Sequence, residues 1–203
     1  MTRRIRKRAY HHGDLERALV DAAVTLLRKG GSKALTLRAV ARAAGVSQTA
    51  PYRHFTDRRA LVAAVAQQGF RQLQRTMLDA MQRADGREGL RQLALAYVHF
   101  AHHHEAEYRV MFGSELAGHD NLPELQKQSR GVLDFVGHGI AALQSAGVVG
   151  AGDPAMMAVT TWAFLHGLVM LSLDGQTAGV APSLDALVDE ATRLMMFGMA
   201  PRE

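Results

Sequence analysis

The chain has 203 residues, 48% of them hydrophobic and 21% charged, a balance that supports a sizeable buried core and excludes wholesale disorder. Its net charge of +5 conceals an asymmetry: residues 1–60 hold 14 of the 24 Lys and Arg and are strongly basic, whereas the remainder is net acidic, so only one end suits a polyanion. The absence of cysteine excludes disulfides, Cys-ligated zinc, iron–sulfur clusters and thiol catalysis, and fits a reducing cytoplasm.

Apolar residues recur at helical spacing along the chain, without alternating strand-like runs or hairpin dipeptides, which predicts an all-α protein of about nine helices. A basic arm (1–13, with Arg3, Arg4, Arg6, Lys7 and Arg8) comes first; the polar stretch Tyr10 to Asp14 supplies no apolar segment of a secretory signal. The first helix is expected over Leu15–Lys29, with Asp14 as N-cap and Gly30-Gly31 as its stop. A second follows Thr36 and ends at Gly45, a short third follows Ser47, and a long fourth follows Asp57 and extends towards Ala84. Further helices are expected near Glu88–His103, Ala106–Ala117, Pro123–Ala146, Pro154–Asp174 and Leu184–Met199, with Asp153 and Ser183 as caps.

Pro154 to Leu173 carries no charge and is about as long as a membrane span. It lacks flanking Lys or Arg and contains Thr160, Thr161, His166 and Ser172, which favours a helix buried in a helical protein or at a subunit interface over a membrane partner. Such a surface predicts a homodimer held by residues 154–174 and 184–199, with Ala158 and Ala191 expected on the shared face.

The most specific pattern lies between Thr36 and Leu61. Two short helices flank Ala44-Gly45-Val46-Ser47, with Gly45 where the chain turns sharply and needs positive φ, and Leu37, Val40, Ala41 and Val46 placed to pack them together. This is a helix-turn-helix layout, whose second helix enters the DNA major groove. Pro51 falls in the first turn of that second helix, predicting a tight or irregular turn instead of a break.

Thr36, Val40-Ala41, Ala44-Gly45-Val46-Ser47, Tyr52-Arg53-His54-Phe55, Arg58 and Leu61 together resemble the DNA-binding domain of the tetracycline-repressor (TetR) family of bacterial transcription regulators. Arg58 stands where the family usually has Lys, and Pro51 where Leu or Ile is usual. The resemblance implies a DNA-binding domain over 1–60, with contacts from Thr36, Ser47, Gln48, Thr49, Ala50, Tyr52, Arg53, His54 and Arg58. Gln48 suits adenine and Ala50 a thymine methyl, whereas Thr36, Tyr52, His54 and Arg58 suit the backbone; for His54 a packing role is an equal alternative.

In the C-terminal half, Trp162 to Gly167 (WAFLHG) and Glu105 to Phe112 (EAEYRVMF) resemble one type of TetR C-terminal domain, its signature Trp-His-Gly. This implies an effector-binding and dimerisation domain over 61–203 and release from a near-palindromic double-stranded DNA operator by a small-molecule effector. Tyr97, Phe100, Tyr108, Met111, Phe112, Phe135, Trp162 and His166 have the chemistry of a pocket, though residues at such spacing also serve as ordinary core.

The alternative class is a helical metal-binding or enzymatic protein using His99, His102, His103 and His104, which would purify with stoichiometric metal; no HExxH accompanies them. A GxGxxA match at Gly137 to Ala142 follows no strand, and neither GxSxG nor a Walker sequence is present, so no enzyme, cofactor or metal is expected. A nucleoid-type binder without sequence preference is the third possibility.

Overall fold

The computed structural model of the protein describes residues 12–84, 86–116 and 122–199; the arm residues Arg3 to Arg8 lie outside them. Among the described residues the chain forms eight α-helices, three 3₁₀ turns and no strand, as the helical periodicity requires. The helices are α1 (His12–Gly30), α2 (Leu37–Ala43), α3 (Arg58–Met81), α4 (Gly86–His103), α5 (Glu105–Met111), α6 (Pro123–Ser145), α7 (Pro154–Leu173) and α8 (Leu184–Met199).

Helix α1 begins at His12, so Asp14 lies within it and is not its N-cap. It buries Leu19, Val20, Ala23 and Leu27 and is closed by Gly31, at φ 67°, whose N–H bonds the Leu27 carbonyl at 2.8 Å. Thr36 caps α2 by accepting from the Ala39 N–H (3.1 Å), and Asp57 caps α3 by accepting from that of Ala60 (2.8 Å). Asp153 and Ser183 cap α7 and α8 in the same way, through Ala155 (2.9 Å) and Ala186 (3.1 Å).

The expected third helix is instead a 3₁₀ turn over Pro51–Arg53. Pro51 has no N–H to give the Ser47 carbonyl, which accepts from Ala50 instead (3.0 Å), and the tighter i to i−3 pattern continues from Arg53 to Ala50 (3.2 Å). Ser47 therefore receives no capping bond from the backbone; its hydroxyl lies 3.2 Å from that of Thr49. The expected Ala106–Ala117 helix also divides, into α5 and a 3₁₀ turn at Ser114–Leu116. Between them the chain folds back so tightly at Gly113 that a Cβ there would stand 2.5 Å from the Arg109 carbonyl oxygen.

Helix α3, 24 residues and so about 36 Å long, is the spine. It starts beside α1 in the N-terminal unit and continues against α4, α5 and α6, while α7 packs on α6 and α4, and α8 on α4. One continuous core runs from Leu19 through Leu73, Tyr97 and Tyr108 to Val188.

Helix α7, expected to be buried in the helical protein or at a subunit interface, buries only Ala158, Leu165 and Val169 within the chain and leaves Met156, Val159, Phe164 and Leu171 exposed. Leu194 and Phe197 of α8 are exposed as well, the latter 83%. Ala158 and Ala191 lie in the chain's own interior (1% and 5% exposed), so the exposed large side chains, not these two, are available to a second chain.

Candidate nucleic-acid interface and effector cavity

The turn between α2 and the Pro51 segment is set by Gly45 at φ 68°, with the Val46 N–H returning to the Ala41 carbonyl at 3.0 Å. Only glycine takes this conformation without cost, and open space surrounds the position a Cβ would occupy, so the constraint is purely conformational. Thr36 at the start of α2, and Ser47, Gln48, Thr49, Tyr52 and Arg53 after the turn, are exposed to solvent, and Ala50 is half-buried. Tyr52 is 54% exposed, a large aromatic left half open to solvent among the described residues.

Two sequence candidates point elsewhere. The His54 side chain is only 9% exposed, with Nδ1 3.7 Å from Glu16 of α1 and its ring against Phe55. Arg58 turns back into the protein, donating from Nε to the Leu35 carbonyl (2.8 Å) and from Nη2 to the carbonyl (2.7 Å) and hydroxyl (2.9 Å) of Ser32. Its Nη1 pairs with Glu115, which also accepts from the Ser32 hydroxyl at 2.5 Å.

A second tie lies nearby. Glu107 of α5 is 5% exposed and accepts from Arg28 of α1, through Nε at 2.9 Å and also through Nη2. Hydrogen bonding to Glu107 raises the Arg28 pKa, with the nearby negative charge assisting and burial opposing. His104 joins the same group, with Nδ1 3.1 Å from Arg28 and Nε2 3.2 Å from Gln72 of α3. The segment from α5 to Leu116 is thus fastened to the N-terminal unit at two places, Glu107 and Glu115.

The opposite side of α5 faces a relay of aromatic groups. Indole Nε1–H of Trp162 donates to the Tyr97 hydroxyl (3.0 Å), which lies 2.7 Å from that of Tyr108; the Tyr108 hydroxyl in turn lies 2.6 Å from His166 Nδ1. An indole can only donate, so the Tyr97 oxygen accepts from Trp162; which group donates in the two remaining bonds follows from the His166 tautomer. Burial lowers the His166 pKa, which favours the neutral form, and pushes the Tyr97 hydroxyl up to about 12.

Beside this relay lies a cavity of about 50 Å³ enclosed by α3, α4, α6, α7 and α8. Tyr97 and Trp162 form one wall, and Met77, Met195, Met196 and Thr192 are among the others; among the described residues no charged side chain lines it.

Residues 90–195 match the family described as "Tetracyclin repressor-like, C-terminal domain", and residues 19–65 match "Bacterial regulatory proteins, tetR family". The chain belongs to the TetR family. An uncharacterized HTH-type transcriptional regulator of Mycobacterium tuberculosis is 29% identical over 186 residues, covering 91% of this chain and 81% of its own. A protein of unknown function from Rhodococcus sp. RHA1 has the same fold, with a TM-score of 0.84 and 35% identity over 96% of this chain and all of its own. The fatty acid degradation regulator FadR of Bacillus halodurans shares the fold at a TM-score of 0.75 and 18% identity, over 95% of this chain and all of its own.

As a TetR-family protein the chain is a DNA-binding transcriptional regulator with an N-terminal helix-turn-helix and a C-terminal helical domain. Of the sequence-derived pocket set, Tyr97 and Trp162 line the cavity. Tyr108, Phe112 and His166 form a packed aromatic group behind it, with Phe112 4.9 Å from His166 and 4.8 Å from Tyr108. Phe100 stacks near His104 at 4.7 Å, and Met111 fills the space over Gly69. Thr192 and the three methionines carried no sequence signal, because aliphatic and small residues at helical spacing look alike whether they line a void or fill a core.

The four neighbouring histidines diverge. His99 meets Asp185 (2.6 Å), His102 meets Ser172 (2.8 Å), His103 bonds the His99 carbonyl (2.7 Å), and His104 joins Arg28 and Gln72. Among the described residues no three His, Cys, Asp or Glu side chains converge as metal ligands.

Proposed function

We propose that the protein is a cytoplasmic, homodimeric repressor without enzymatic activity, which binds a near-palindromic operator and is released when a small molecule occupies the cavity. The contacting edge is Thr36, Ser47, Gln48, Thr49, Ala50, Tyr52 and Arg53, with Gln48 and Ala50 reading bases and Thr36 and Tyr52 meeting the backbone. His54 and Arg58 act behind this edge, holding it to α1 and to the C-terminal domain. The apolar surface of α7 and α8 joins two copies about a two-fold axis, which sets the spacing between their DNA-reading edges.

The observation that carries this reading is the position of α5 and the turn after it. Tyr108 is bonded to the cavity wall at Tyr97, while Glu107 and Glu115 are bonded to the DNA-binding unit at Arg28, Ser32 and Arg58. A ligand that displaces Tyr97 or Trp162 acts on α5, and α5 cannot shift without moving the base of α1 and the start of α3. Differential affinity for the shifted arrangement then draws the population away from the DNA-bound one.

The test is selection of bound duplexes from a random library, followed by transcription from the recovered site with and without the protein. A palindromic consensus whose transcription falls on protein addition supports the reading. Recovery of no consensus indicates a nonspecific binder, and rising transcription indicates an activator; either overturns it.

A further inference from the structure

Inside the cavity one polar group stands apart. Thr192 of α8 is 6% exposed, lines the cavity, and its hydroxyl has no hydrogen-bond partner. Of the other polar groups of the wall, the Trp162 N–H is bonded to Tyr97 and the Tyr97 hydroxyl to Tyr108, while Thr161 is only half-buried and so is less deprived of solvent than Thr192. A buried hydroxyl without a partner carries a desolvation penalty that a ligand able to bond it would remove.

The rest of the lining sets the ligand's character. Leu90, Leu93, Val136, Ile140 and Leu165 offer only hydrocarbon, and among the described residues no Lys, Arg, His, Asp or Glu lines the space to balance a charge. A carboxylate or ammonium placed there would be desolvated without compensation. The free volume is about 50 Å³, but Met77, Met195 and Met196 are unbranched and adaptable, so the wall can yield to a chain or ring larger than the void.

We propose that the cavity binds a neutral, chiefly apolar molecule carrying a single hydroxyl or carbonyl group, and that the Thr192 hydroxyl is the hydrogen-bond partner that selects it. This rests on the effector reading above and assigns its ligand class and its specificity-determining residue. A charged amphiphile of the same length is rejected by the missing countercharge, and a pure hydrocarbon is disfavoured because it leaves Thr192 unpaired.

The test uses the full chain and the emission of Trp162, the only tryptophan, which sits in the cavity wall. The probes are 1-octanol and octanoate at pH 8, where the acid is ionised. Saturable change with 1-octanol, and binding of octanoate at least tenfold weaker, is expected. Thr192→Val, nearly isosteric, should weaken 1-octanol binding about fivefold, the loss of one neutral hydrogen bond, and Thr192→Ser should restore it. Equal affinity for the two probes, failure of both to bind, or unchanged 1-octanol affinity in Thr192→Val would overturn the proposal. Thr192-dependent binding that leaves operator affinity unchanged would uphold the ligand assignment while refuting release through this cavity.

Discussion

Replacing Arg28 by Met tests whether the tie between α1 and α5 is an energetic link. Glu107 is nearly buried and receives two bonds from the one guanidinium, and its second carboxylate oxygen has no partner, so Arg28→Met leaves a carboxylate without its main compensation. Removing one partner of a fully buried pair costs about 3–5 kcal/mol. Arg28 is 51% exposed and His104 Nδ1 lies 3.6 Å from Glu107, so solvent and the imidazole recover part of this. The expected loss is about 2 kcal/mol, the range of a hydrogen bond to a charged group. For a chain of this size that lowers Tm by about 4–8 °C. Glu107→Gln keeps the acceptor oxygen and removes the charge, and should cost about 1 kcal/mol. The double variant Arg28→Met/Glu107→Leu exchanges the pair for hydrocarbon and should be more stable than Arg28→Met alone. Urea unfolding of the wild type, Arg28→Met, Glu107→Leu and the double variant gives the coupling energy. Strict additivity, or an Arg28→Met protein within about 0.5 kcal/mol of wild type, would refute the link.

Four further outcomes follow from the same structure. His166 and His102 both have pKa values lowered by burial, so below the ordinary histidine value the unfolded chain binds more protons than the folded one. Stability should be full above about pH 6.5 and fall as the pH drops beneath it; His166→Phe should flatten the decline in urea titrations, and an unchanged slope would contradict the sign. Gly45→Ala should destabilise by about 1–2 kcal/mol through its left-handed φ alone, and a neutral result would contradict the turn geometry. Phe197→Glu, at an 83% exposed position, should shift the sedimentation profile from dimer to monomer without lowering helical content; a persistent dimer would place the interface elsewhere. Gln48→Ala should relax base preference at one position per half-site by about 1–3 kcal/mol, while Tyr52→Phe lowers affinity without altering the consensus.

What the sequence discloses here is mostly local. Thr36, Asp57, Asp153 and Ser183 cap their helices because a side-chain oxygen beside a helix start needs only its own next turn. Gly45 was legible for the same reason. The segment after Ser47 was half-legible: Pro51 signalled an irregular turn, but the extent of the 3₁₀ geometry depends on how the Ser47 carbonyl is reused. Long-range partners left no mark. Arg58 reads as one more cation near a polyanion, and only the fold brings Ser32 and Glu115 to it. Aromatic residues were natural pocket candidates, yet Tyr108, Phe112 and His166 pack on one another, and only Tyr97 and Trp162 of the set line the cavity, beside mostly aliphatic side chains from five helices. The uncharged α7 signalled an apolar destination without revealing that so little of it is met within one chain.

The most direct test of the central claim, that two copies of the Gln48–Tyr52 edge act together on one duplex, compares the selected palindrome with a duplex bearing a single half-site. Sedimentation should find two protomers on the palindrome, with half-sites about one helical turn or a multiple of it apart, and affinity for the single half-site should be at least about a hundredfold weaker and steeply salt-dependent. One protomer on the palindrome, or equal affinity for both duplexes, would contradict the account.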